Sequence, residues 1–137
     1  MSYSVNESIR YFDDFLIYFA VALLLFVVFT IIYVKVTPYD EINLIREGNT
    51  AAAISLSGAM LGFALPLASS VANAVNLIDL VLFAVLATVV QLVVFVLARM
   101  LMPDLSGAIE KGNIAESIFL AAASISVGVL NAAALVY

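Results

Sequence analysis

The ionisable side chains of this 137-residue chain are few, and they limit the chemistry that it could perform. There are five Lys and Arg residues and ten Asp and Glu residues, and there is no Cys and no His. The chain therefore lacks a thiol nucleophile, an imidazole base and the usual ligands of zinc. Its serines have no His or Lys beside them that could activate them. We expect no enzyme, no cofactor and no bound metal.

Three acidic residues could act together by attracting cations. Asp13 and Asp14 precede the first apolar run, and Asp79 stands alone between the second and the third. If these positions share the outer surface, with Arg10 as its only base, a ring of acids could concentrate cations at an entrance. The alternative is structural. Asp79 and Glu116 each stand where a helix begins, and a carboxylate there caps free N–H groups.

Small and polar residues form a second group, inside the apolar runs. The pair Gly58-x-x-x-Gly62 is typical of helices that pack closely in a bilayer. Pro66 frees the carbonyl of Gly62, which could bind a cation in a broken helix or could simply mark a kink. Packing contacts and the lining of a narrow pathway are the two alternatives for the whole group, which comprises Ser55, Ser57, Gly58, Gly62, Pro66, Ser69, Gln91, Ser124, Gly128 and Asn131.

Composition indicates which elements position these residues. Apolar residues make up 66% of the chain, charged residues make up 11%, and the mean hydropathy is +1.21. A soluble domain would carry about 25% charged residues, so the bilayer is the expected solvent. Residues 15–34, 48–78, 80–98 and 117–137 contain no charge, and about 20 apolar residues cross the hydrocarbon core as a helix. The sequence predicts an all-α membrane protein with transmembrane helices over about 15–36, 50–75, 78–101 and 115–137, after a polar, interfacial segment 1–12.

The two halves of the chain align when the sequence is shifted by 64 positions. Lys35 then falls on Arg99, and the link motif Asp40, Gly48 and Asn49 falls on Asp104, Gly112 and Asn113. This register predicts a duplicated helical hairpin, with repeats over 13–76 and 77–137. Each repeat has two spans, so both copies have the same orientation, and each link forms an interfacial amphipathic segment. The glycines suit a helix C-cap or a sharp re-entry into the bilayer.

The positions of the basic residues predict an orientation. Lys35 and Arg46 flank the first link, Arg99 and Lys111 flank the second, and only Arg10 lies on the other side. The positive-inside rule then places both links in the cytoplasm and both termini outside.

The duplicated hairpin with Gly-Asn after each link resembles a known family. The resemblance covers nearly the whole chain and is carried by Ile45-Arg46-Glu47-Gly48-Asn49 and Ile109-Glu110-Lys111-Gly112-Asn113. It points to the YjfL-like family of small prokaryotic membrane proteins, catalogued as a domain of unknown function (number 350). It implies an inner-membrane location and an association with envelope stress or polyamine-related gene neighbourhoods. It implies no catalytic residues.

Two functions follow as expectations. The first is a self-associating scaffold or envelope-stress component, which would be a homo-oligomer in the lipid bilayer with membrane-stress partners at its cytoplasmic links. The second is an oligomeric ion channel or minimal transporter with a pathway along the second and fourth spans, because four helices cannot enclose a wide pore alone. The net charge of −5 argues against nucleic acid as a partner.

Overall fold

Six helices make up the fold of residues 4–135, the part of the chain that the computed structural model describes. Four are long and apolar enough to cross a membrane, and no strand occurs among the described residues. The predicted all-α membrane fold is thereby confirmed. The helices are α1 (Val5–Val36), α2 (Glu41–Arg46), α3 (Thr50–Asn73), α4 (Leu77–Leu101), α5 (Leu105–Glu110) and α6 (Ile114–Ala134).

The first helix begins earlier than its charge-free stretch. Ser4 accepts a hydrogen bond from the backbone N–H of Glu7, and the Glu7 carboxylate accepts one from the backbone N–H of Ser4. This reciprocal cap starts the helix ahead of the apolar run. Residues 5–12 of the predicted interfacial segment therefore continue directly into the first span. Residues 1–3 of that segment, and the last two residues predicted for the fourth span, lie outside the described residues.

The short helices α2 and α5 end in the same kind of turn. Gly48 has a φ of +88° and Gly112 has a φ of +81°. The backbone N–H of Asn49 donates to the carbonyl of Leu44, as that of Asn113 does to Ala108, with an N···O distance of 2.8 Å in each turn. This is the Schellman arrangement, in which glycine supplies the left-handed residue. The glycines thus act as C-caps, and the next long helix starts two residues later.

Both halves of the chain have the same order of elements, a long helix, a six-residue helix and a second long helix. α2 and α5 begin at residues 41 and 105, and α3 and α6 begin at residues 50 and 114. Each pair is separated by 64 residues, the shift that aligns the sequence with itself. The duplication and the parallel orientation of the two copies stay predictions from the sequence.

Helix α3 lies at the centre of the bundle. It packs most extensively on α6, and α4 packs against both of them. α1 is peripheral, with contacts to α3 and α4, and only Phe29 and Tyr33 of its residues are buried. Their rings join the core through Phe63 of α3 and Phe95 of α4. The first half of α1 is therefore held by few contacts.

Candidate functional site

The seam between α3 and α6 contains the small residues that the sequence singled out. A Cβ atom on Gly58 would lie 2.5 Å from the Cβ of Ala121, and one on Gly62 would lie 2.8 Å from the carbonyl carbon of Ser124. A Cβ on Gly128 would lie 2.7 Å from the Cα of Gly62. None of these sites has room for a methyl group. The glycines therefore allow the two backbones to touch, as the small-residue pattern predicts for membrane helices.

Pro66 has a direct consequence at this seam. It is buried within α3, which continues through it to Asn73. Because proline has no N–H, the carbonyl of Gly62 loses its helical donor. That carbonyl oxygen faces Gly128 so closely that a Cβ there would overlap it. The backbone of Gly128 therefore packs directly against this carbonyl, which was a candidate cation ligand.

Gln91 connects α4 to the same seam. Its side chain is fully buried, and its Nε2 donates a hydrogen bond of 3.0 Å to the carbonyl of Ser124. Within residues 4–135, Gln91 Oε1 and Ser124 Oγ have no hydrogen-bond partner. One amide bond between helices in a membrane contributes about 0.6–2 kcal/mol. Gln91 thus ties α4 and α6 together beside Gly62.

The other predicted pathway residues lie in different surroundings. The hydroxyl of Ser55 donates to the carbonyl of Ala52 at 3.1 Å, and that of Ser69 donates to Ala132 of α6 at 2.9 Å. Ser57 is exposed, and Asn131 is partly buried near the end of α6. The structure therefore brings Gly58, Gly62, Gln91, Ser124 and Gly128 together, places Ser69 farther along the same contact, and leaves Ser57 outside it.

The three acids of the predicted outer entrance lie at one end of the bundle, where α1 starts, α3 ends and α4 starts. Asp13 and Asp14 are exposed on α1. Asp79 lies in the first turn of α4, where its Oδ2 accepts from the backbone N–H of Val75 at 3.3 Å. Its own N–H donates to the Oδ1 of Asn76, the N-cap residue of α4. Asp79 therefore stabilises the α3–α4 turn, in the manner of a helix cap.

Asn49 joins the two links at the opposite end. Its Oδ1 caps α3 through the N–H of Ala52, and its Nδ2 donates to the carbonyls of Ile109 and Glu110 at 2.9 and 3.2 Å. Asn113, the equivalent residue of the second link, caps α6 through the N–H of Ala115. The side-chain amide of Asn49 therefore both caps α3 and holds the first link against the second.

A cleft of about 400 Å³ lies between the links. Its lining residues include Gly48, Gly112, Glu47, Glu110 and Lys111.

The acidic residues that precede the two link helices differ in their hydrogen bonds. Asp40 Oδ1 accepts from the N–H of Asn43 at 3.3 Å, whereas the Asp104 side chain makes no capping bond.

A buried carboxyl group in the first link is a feature that the sequence reasoning missed. Glu41 is the first residue of α2 and is 0% exposed. Its Oε1 accepts a hydrogen bond from the hydroxyl of Thr37, and its Oε2 has no partner in the part of the chain that the structure describes. Burial raises its pKa to about 7, the Thr37 hydrogen bond opposes this rise, and the negative charge of Asp40 adds to it. Burial and Glu41 likewise raise the pKa of Tyr39.

The signal for this burial was present in the spacing of α2. Glu41 lies three and four residues before Leu44 and Ile45, both partly buried, so these three residues share one face. Ile42, by contrast, is 44% exposed. An acid on the inner face of a link was not expected, because carboxylates are rarely buried without a partner.

An open apolar groove separates the first half of α1 from the second half of α3. It has a volume of about 620 Å³. Aliphatic residues of α3 form one wall, and mostly aromatic residues of α1 form the other. Asp14 and Tyr11 line its end near the start of α1. The wall residues include Phe15, Tyr18, Phe19 and Phe26 of α1 and Ala64 and Ala68 of α3.

The fold and these contacts define a small polytopic membrane protein with four candidate spanning helices and two short link helices. The chain belongs to the family described as Domain of Unknown Function (DUF350), whose family model matches residues 5–135. The resemblance inferred from the link motifs is thereby confirmed.

Two relatives support the assignment. The chain is 38% identical over 120 residues to the UPF0719 inner membrane protein YjfL of Escherichia coli (strain K12), and the match covers 88% of this chain and 91% of that protein. The same figures hold for the protein of that name in Escherichia coli O157:H7. No solved structure matches the chain.

Proposed function

We propose that this protein is a self-associating, non-catalytic component of the prokaryotic inner membrane. The observation that carries the proposal is the groove between α1 and α3. Ala64 and Ala68 leave room on α3 for a second helix, and such small residues are typical of helix–helix contacts in bilayers. The peripheral α1 has few contacts within the chain. A helix of a second copy would fill the groove and fix α1.

The location and the orientation are part of the same proposal. The YjfL relatives are described as inner membrane proteins, and four of the five basic residues flank the links. Both links would then face the cytoplasm and both termini would face outward. In that orientation the cleft beside Asn49 is open to cytoplasmic partners, including components of a membrane-stress response.

A single introduced cysteine tests self-association, because the natural chain has none. We expect Ala68→Cys, which lies in the groove, to form disulfide-linked dimers on mild oxidation in membranes. Ala122→Cys is the matched control, since Ala122 is exposed on α6, away from the groove. Equal crosslinking at both positions, or none at either, would contradict association through the groove.

An oligomeric ion channel or minimal transporter is the second candidate. Three buried polar atoms near the seam have no hydrogen-bond partner among the described residues, which favours this candidate: Gln91 Oε1, Ser124 Oγ and Asn131 Nδ2. Gly58, Gly62 and Gly128 close the seam within one chain, so a pathway would need subunits that meet along α3 and α6. The flux of small cations into liposomes that contain the protein tests for such a pathway. A rate equal to that of empty liposomes, and unchanged by Asp79→Asn, would contradict the channel.

A further inference from the structure

The carboxyl group of Glu41 is enclosed between the end of α1 and the start of α3. Its side chain is 0% exposed and Thr37 is 6% exposed. Within residues 4–135, no Lys or Arg forms an ion pair with it, and Lys35 and Arg46, the basic residues of this link, are exposed. An ionised carboxylate without a basic partner is strongly unfavourable in such surroundings.

The hydrogens available to Thr37 indicate which form the carboxyl group takes. A threonine hydroxyl carries one hydrogen. The hydroxyl of Thr37 donates it to the carbonyl of Val34 at 3.1 Å, and that carbonyl can only accept. The second contact of the hydroxyl is with Oε1 of Glu41. The hydroxyl therefore shares its one hydrogen between two acceptors, so an ionised Glu41 would have only this shared donor on Oε1 and, within residues 4–135, none on Oε2.

The groups around Glu41 also favour the neutral form. Tyr33 and Tyr39 are its titratable neighbours, and within residues 4–135 neither hydroxyl donates a hydrogen bond to it. Asp40 adds a like charge. The helix beneath the link, Thr50–Asn73, contains no ionisable residue. α3 therefore supplies no positively charged side chain that could compensate a negative charge at this place.

We propose that Glu41 is a reversible proton-binding site, and that the bound proton holds α2 against α3. This goes beyond self-association, because it links the position of the first link to pH. Release of the proton leaves a carboxylate in an enclosed position, with no basic partner among the described residues and with no donor to its Oε2. Hydration of that carboxylate requires α2 to move away from α3. The proton passes to water, so the exchange needs no other reactant.

The second link lacks this device. Leu105 stands 64 residues after Glu41, opens α5 in the same way and is 0% exposed. An apolar side chain at this position has no proton to exchange. The contact of α5 with the bundle should therefore be independent of pH, which provides an internal control.

The experiment uses the full-length protein in lipid nanodiscs. Difference infrared spectroscopy follows the carbonyl band of protonated carboxylic acids during a pH titration. We expect a band that disappears near pH 7 and that is absent from Glu41→Gln. A carboxylic acid band assigned to Glu41 that disappears near 4.5, the ordinary value for Glu, would overturn the proposal.

Maleimide labelling measures the movement of α2. The labelling rate of Ile45→Cys, on the inner face of α2, is divided by the labelling rate of Asn43→Cys, on its outer face. The division removes the pH dependence of the reaction between thiol and maleimide. This ratio should rise roughly tenfold between about pH 6 and about pH 8, as the deprotonated fraction rises around a pKa near 7. The Ile109→Cys to Glu110→Cys ratio on α5 should stay constant.

A variant with no titratable group at position 41 completes the test. In the Glu41→Gln background the Ile45→Cys ratio should stay at its low-pH value throughout. If Glu41→Gln does not fold, Glu41→Leu replaces it, because leucine is the residue at the equivalent position of α5. The proposal would be overturned if the Ile45→Cys ratio did not change with pH when Glu41 is present, or if it rose equally with pH in the Glu41→Gln background.

Discussion

Substitution of Gly62 by alanine is expected to destabilise the bundle more than a methyl group added outside the seam between α3 and α6. The added Cβ would overlap the carbonyl oxygen of Ser124 and would lie 2.7 Å from Nε2 of Gln91. Backbone atoms cannot rotate away, so α3 and α6 must separate. The separation also stretches the hydrogen bond between Gln91 and Ser124.

The expected magnitude follows from these two effects. An extra methyl group in a closely packed interior costs about 1–3 kcal/mol. Loss of one interhelical hydrogen bond in a membrane costs a further ~0.6 kcal/mol or more. Alanine is the better helix former by about 1 kcal/mol, which offsets part of the cost. We expect the free energy of unfolding to fall by roughly 1–3 kcal/mol.

The assay is a titration of the protein from a mild detergent into sodium dodecyl sulfate, followed by circular dichroism. Gly107→Ala is the matched control. Its Cβ would lie 2.7 Å from Oδ1 of Asp104, an exposed side chain that can move, so no loss of stability is expected. If Gly62→Ala unfolds at the same detergent fraction as Gly107→Ala, the close contact between α3 and α6 is wrong.

Four further predictions concern single side chains and use the same unfolding assay. Gln91→Leu should cost about 1 kcal/mol, because it removes one hydrogen bond between α4 and α6. Asn49→Ala should lower the free energy of unfolding by about 1 kcal/mol more than Asn113→Ala does. Both variants lose a helix cap, but only Asn49 also joins the two links. Equal losses of stability would contradict the contact between the links. Gly112→Ala should cost about 1–2 kcal/mol, because its φ of +81° is unfavourable for alanine. The free energy of unfolding should fall by roughly 3 kcal/mol as the pH rises from 4.5 to about 7, because Glu41 loses its proton at lower pH in the unfolded chain than in the folded one. Glu41→Gln should abolish this fall.

The four spanning helices and the closely packed seam could be predicted because each depends on local sequence. Charge-free stretches of membrane-spanning length fix the helices, and Gly58-x-x-x-Gly62 indicates which face of α3 approaches a neighbour. The geometry adds that Gly128 is the partner of Gly62. Spacing within one helix cannot identify the residue that it meets on another.

The contacts that the sequence did not predict depend on how separate segments meet. Asn49 reads as a helix cap, and nothing local indicates that its Nδ2 reaches the carbonyl of Ile109, 60 residues away. Glu41 reads as a solvated acid, because its burial depends on how α2 lies across α3. The start of α1 at Val5 depends on the cap formed by Ser4 and Glu7, which precedes the apolar run.

The mass of the protein in a lipid nanodisc tests self-association most directly, and native mass spectrometry can measure it. We predict a mass of at least two chains of 14.6 kDa each for the natural protein. Ala68→Leu, which blocks the groove, should shift the population to the single chain, whereas Ala122→Leu on α6 should leave it unchanged. A single chain for the natural protein at all protein-to-lipid ratios would contradict the account, as would a dimer that Ala68→Leu does not weaken.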